Sequence, residues 1–161
     1  MGNGTGSREN TIGDSLDGHS DPTIFGRVRQ IQEHIHSPNL VIPSLAAGIT
    51  VASKNIAWTL SDNFTVVVAT NAITEDFDFH WLNVENMSAN GVYELWLYSG
   101  ADASEVVFAK KRLTREVNKA ARAGLGMISP LMPANTQIKA KLATENAVAD
   151  TMTFTLEYHT Y

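Results

Sequence analysis

Met152, Phe154, Leu156 and Tyr158 alternate with Thr153, Thr155, Glu157 and His159. A period of two puts the first set on one face of a strand and the second set on the other. One face is buried and the other is wet, the pattern of an antiparallel sheet packed on a core. Ile138, Ala140 and Leu142 alternate with Gln137, Lys139 and Lys141 in the same way. Tyr93, Leu95 and Leu97 alternate with Glu94, Trp96 and Tyr98, so both faces of that strand are partly apolar. Such a strand is central in its sheet, or one of its faces meets a partner. Strands are predicted at 49–52, 56–60, 64–69, 77–85, 92–99, 105–114, 136–143 and 151–160, with 39–43 extended. Asn-, Gly-, Ser- and Asp-rich turns separate them. About eight short strands with no alternating helices predict an all-β antiparallel sandwich, jelly-roll-like, with an immunoglobulin-like arrangement left open. The connection between the sixth and seventh of these strands is long. Its segment 124–133, GLGMISPLMP, is apolar but broken by Gly and Pro, and is either a buried return strand or a subunit contact.

Upstream of the sandwich, predicted over 39–161, the chain changes character. Residues 1–20 are polar and Gly-rich, with Ile12 and Leu16 as the only anchors, and read as an extended arm. Residues 21–38 carry the clearest helical period. Ile24, Val28, Ile31 and Ile35 fall on one face, Asp21 and Pro22 suit a helix start, and Ser37-Pro38 stops it. A lone helix of about sixteen residues is marginal in water, so the stripe must pack on something. That is either its own β-domain or copies of itself, and β-branched residues at every stripe position favour three or more strands.

Composition removes several classes. The chain of 161 residues is 43% hydrophobic, with no apolar run long enough to span a bilayer, so no membrane partner is expected. The N-terminus lacks the apolar centre of a signal peptide. There is no cysteine, hence no disulfide and no thiolate chemistry. The net charge is −5, yet Lys110, Lys111, Arg112, Arg115, Lys119 and Arg122 make up half of the 12 basic residues. This run reads as a solvated strand edge, or as a salt-bridge zone against an acidic neighbour. Nucleic-acid binding is not expected, because no aromatic residue interleaves with the run in sequence.

A search for catalytic chemistry returns no nucleophile elbow, no zincin motif and no phosphate loop. His34 and His36 stand two apart, which does not share a helical face. Asp76, Asp78 and His80 alternate on one strand face, with Phe77, Phe79 and Trp81 on the other. Two carboxylates and an imidazole can bind metal, but a solvated face is the simpler reading, and His159 reads as a surface residue. No catalytic residue, cofactor or metal site is expected. Trp58, Trp81, Trp96, Tyr93 and Tyr98 either pack the core or form a sugar-stacking face.

The order of IFGRVRQIQEHIHSP, a Pro43-Ser44-Leu45-Ala46 turn, DFDFHWLNVENMSANGVYELWLYSG, PANTQIKAKLAT and a final LEYHTY resembles structural proteins of tailed-phage genomes. These are the capsid decoration (cement) or auxiliary head proteins. The resemblance runs from Asp21 to Tyr161 and leaves out residues 1–20. It implies a jelly-roll-like domain, homotrimers on the capsid exterior bridging major capsid protein subunits, synthesis in the host cytoplasm, and no enzymatic activity. In that setting Ile24, Val28, Ile31 and Ile35 supply self-association. Ile12, Leu16, Lys110, Lys111, Arg112, Arg115, Lys119 and Arg122 supply contacts to capsid or sister subunits. The alternative is a carbohydrate- or receptor-binding module of a phage tail or head fibre.

Overall fold

The computed structural model describes residues 40–44, 47–116 and 123–161. The arm with Ile12 and Leu16, the helical stripe of Ile24, Val28, Ile31 and Ile35, the His34/His36 pair, and the basic residues Lys119 and Arg122 lie outside the described residues.

The described strands are β1 (Leu40–Ile42), β2 (Ile49–Ala52), β3 (Thr65–Val68), β4 (Phe77–Met87), β5 (Gly91–Ser99), β6 (Val106–Arg115), β7 (Ala123–Gly126), β8 (Ile138–Thr144) and β9 (Thr151–Thr160). All pairings are antiparallel. One sheet runs β1-β9-β4-β7, with β2 also on β9; the other runs β3-β8-β5-β6. Strands β1 and β2 follow one another along the same edge of β9, pairing with Leu156–Tyr158 and Thr151–Phe154 respectively. From β2 to β9 the chain passes back and forth between the sheets, and only β5 and β6 are sequential neighbours. This is the double-sheet jelly roll built from two Greek keys. The immunoglobulin-like arrangement is thereby excluded.

The core lies between the sheets. The alternation in β9 places Met152, Phe154 and Leu156 inward at 0% exposure, facing Tyr93, Leu95 and Leu97 of β5, also at 0%. Burying each such side chain is worth about 1.5–3 kcal/mol over leaving it in water. Strand β5 is central, between β8 and β6, the first of the two positions its sequence allowed. Phe77 and Phe79 meet edge to face at 5.4 Å in the same core. Where the core meets the open edges, Lys111 of β6 donates to the Gly126 carbonyl of β7 at 2.9 Å, tying one sheet to the other.

One expectation changes here. Residues 56–60 are not a strand. Thr59 N–H donates to the Ile56 carbonyl at 3.2 Å, and Trp58 sits at φ 57°, a left-handed conformation that no strand contains. The segment 124–133, left open in sequence, follows β4 as a return strand. Its start is β7, and its end returns along β4, with Met127 donating to His80 and Met132 exchanging both backbone bonds with Phe77. Met127 and Met132 enter the core, while Ile128 at 92% and Leu131 at 58% exposure point away from it.

Candidate functional site

The outer face of the four-stranded sheet is the most distinctive surface of the described residues. On β5 the outward side chains are Glu94, Trp96 and Tyr98. The register sets Trp96 between Lys110 of β6 and Lys141 of β8, Glu94 opposite Arg112, and Tyr98 opposite Lys139. Cations therefore flank the aromatics across the strands. Lys110 Nζ lies 3.5 Å from the Trp96 ring centroid, and the Arg112 guanidinium lies 5.2 Å above Trp58. Phe64, just before β3, has Lys141 at 4.3 Å over its face and meets Tyr98 edge-on at 4.9 Å. Trp96 and Tyr98 stack at 6.4 Å. An ammonium or guanidinium over a ring is attracted by its quadrupole, by about 0.5–1 kcal/mol where exposed.

Carboxylates order this face. Glu94 accepts from Trp96 Nε1 at 2.6 Å and from Arg112 Nη2 at 2.7 Å. These two bonds hold its carboxyl below the usual range, the Trp96 bond contributing most. Lys139 is only 3% exposed, and its ammonium donates to Asp102 and, at 2.7 Å, to Glu105. The two carboxyls fall and the ammonium rises, in each case through these hydrogen bonds first. Burial of an ammonium is tolerated only with such partners. The cations Lys110, Arg112, Lys139 and Lys141 thus share the face with Glu94, Asp102 and Glu105, and it is not a one-signed field that tracks phosphates.

The basic run divides in space. Lys110 and Arg112 stand exposed on this face, Lys111 points the other way into its tie with Gly126, and Arg115 ends β6 half-buried opposite Gly91. No aromatic interleaves with the run in sequence, but Trp96 and Trp58 meet it in space from other segments, which linear order cannot show. Core packing holds for Tyr93, but Trp58 at 50% and Trp81 at 45% exposure lie outside the core. Trp81 leaves the Phe77/Phe79 face because the β4–β9 register shifts between Phe79 and Trp81, and one extra residue turns the following side chain over.

The same bulge shapes a second cluster on the outer side of the other sheet. Asp78 lies directly opposite His159. His80 Nε2 is 2.8 Å from Asp78 Oδ1, and the His80 and His159 rings are 4.3 Å apart. His159 is 8% exposed, not the surface residue that its place near the chain end suggests. Asp76 is not part of the group; it accepts instead from the Ala134 N–H at 2.8 Å. Tyr161 donates its phenol to Asp78 Oδ2 at 3.1 Å, and burial, then the Asp78 charge, push its pKa up to about 12.

No family model matches the chain and no curated protein is similar to it. Among solved structures it is similar to a chain of "Structure of infectious bursal disease virus Gx strain", with 12% identity and a TM-score of 0.38. The match covers 76% of this chain and 32% of that one, so the chain spans about a third of its length.

Proposed function

We propose that this chain is a structural virion protein, a decoration or cement protein that trimerises on the exterior of a phage head and bridges major capsid protein subunits. The observation that carries the reading is the outer face of the β3-β8-β5-β6 sheet. It is a broad sheet face rather than a cleft, and it joins Trp58, Trp96, Tyr98 and Arg112, the residue types that concentrate binding energy in protein–protein interfaces. The jelly-roll topology supports it at the level of fold, since this architecture serves viral capsid and lectin domains, though fold alone does not assign function. The ordered motifs from Asp21 to Tyr161 that resemble decoration proteins supply the specific assignment. In this reading Ile24, Val28, Ile31 and Ile35 form the trimer seam. The chain acts by mass action: it binds the assembled shell in preference to its parts and so stabilises the shell. It needs no cofactor, no catalytic residue and no direct contact with nucleic acid.

Cosedimentation with shells lacking the protein tests this. The double variant Trp58→Ala/Arg112→Glu is expected to bind at least about tenfold more weakly than the wild type, the loss of one central anchor. Equal occupancy by a variant with unchanged melting temperature contradicts the assignment of this face.

One observation favours carbohydrate binding as the second reading: Trp58, Trp96 and Tyr98 gather aromatic rings on a single face. Against it, Lys110 already covers the Trp96 ring, and a sugar must displace that ammonium to stack there. Glycan binding lost on Trp96→Ala without loss of melting temperature identifies this second reading.

A further inference from the structure

Asp78, His80 and His159 bring three donors together from two neighbouring strands, and their ligating atoms lie within 4.8 Å of one another. We infer that they form a binding site for one divalent transition metal of the zinc class. The donor set selects the class. Two imidazoles and one carboxylate suit zinc, cobalt, nickel or copper, whereas calcium and magnesium prefer oxygen alone. The size fits as well. Donors around a tetrahedral zinc with bonds of about 2.0–2.1 Å stand about 3.3 Å apart, so the group has to contract by about 1.5 Å at most. Asp78 Oδ1 and His80 Nε2, now hydrogen-bonded at 2.8 Å, have to lose the shared proton and open by about 0.5 Å to ligate the same ion.

The backbone under the site is fixed. Asp78 pairs with His159 and Phe77 with Thr160, so the two strands hold their side chains in register. The Tyr161 phenol holds the second oxygen of Asp78, and the Tyr161 N–H donates to the Asp76 carbonyl at 2.9 Å, which keeps the chain end beside the cluster. A ligating carboxylate that is itself hydrogen-bonded is the arrangement that orients metal ligands. The Asp78 and His80 side chains are 17% and 25% exposed, so the donors are partly dehydrated yet reachable from solvent. Three protein donors leave a fourth position for water or another ligand. With β4 and β9 both bound to it, the metal fastens the start of β4 to the end of β9, two neighbouring inner strands of one sheet.

The test uses the full chain, stripped with a chelator and titrated with zinc chloride by calorimetry. The absence of cysteine removes thiolate competition. The wild type is expected to bind one zinc per chain through this site, with neither calcium nor magnesium substituting. At a hundredfold excess over Kd the melting temperature is expected to rise by about 5–10 °C. His80→Gln and Asp78→Asn, both at partly exposed positions, are each expected to weaken binding at least tenfold while remaining folded. Three results overturn the inference: no zinc uptake by the wild type, equal binding of calcium, or zinc binding that survives both variants and so belongs to other histidines. His159→Gln is left out as the primary variant because that side chain is buried.

Discussion

Phe154→Ala is expected to lower the free energy of unfolding by about 3–5 kcal/mol, the range for removing a buried aromatic ring and leaving a cavity. Phe154 is 0% exposed and stands in β9, the strand on which the five-stranded sheet is centred. It pairs with Ile49 on one side and Val84 on the other, so its truncation opens space that three strands border. Against a total stability of about 5–15 kcal/mol, a loss of this size shifts the melting temperature by about 6–20 °C. Urea and thermal unfolding of the two proteins measure it. Thr153→Ala is the control: it removes a hydroxyl from the opposite face of the same strand, where Thr153 meets Thr50 at 2.8 Å in an exposed contact. That change should cost under about 1 kcal/mol. Equal costs at the two positions would mean that the inward and outward faces of β9 have been assigned wrongly.

Gly100→Val is the second large effect, and it acts through a turn rather than the core. Gly100 lies at φ +112°, a conformation that residues with a side chain rarely adopt. A Cβ there would sit 2.7 Å from the Ser104 carbonyl oxygen, which is backbone and cannot swing aside. The cost is expected at about 2–3 kcal/mol. The turn also presents Asp102 and Glu105 to the buried Lys139 ammonium, so distorting it leaves that cation short of its partners. Ala103 is also left-handed, at φ 67°, and Ala103→Gly should carry no such penalty. A melting temperature for Gly100→Val equal to that of the wild type would refute the tight turn.

The strands were legible because their apolar residues alternate. β9, β8 and β5 declare their inward face in sequence, and β2 and β9 begin and end where the pattern does. The second face is less wet than the alternation suggests: Thr155 and His159 of β9 and Lys139 of β8 are buried. Bulges were not legible, because an inserted residue leaves no local mark. Trp81 therefore reads as a companion of Phe77 and Phe79, although the shift after Phe79 turns it outward. Residues 56–60 look β-like by composition, yet the left-handed Trp58 makes them a turn. Neither cluster could be completed along the chain: Asp78 and His80 share a face in sequence, but His159 does not join them there. Trp96 meets Lys110 and Lys141 only through the pairing of β5 with β6 and β8, and Asp78 meets His159 only through the pairing of β4 with β9. A cross-strand signal was available in principle: once β4 and β9 are taken as antiparallel neighbours ending together, Asp78 and His159 fall opposite one another. The jelly roll itself comes from strand order, which eight alternating segments leave open.

The central claim is that the chain stabilises an assembled shell, and the most direct measurement is the thermal stability of phage heads lacking the protein, before and after adding it back. Saturating chain is expected to raise the temperature at which the heads open, and to bind assembled shells while leaving unassembled capsid subunits free in the same assay. Unchanged head stability, or equal binding to shells and free subunits, would contradict a cement function.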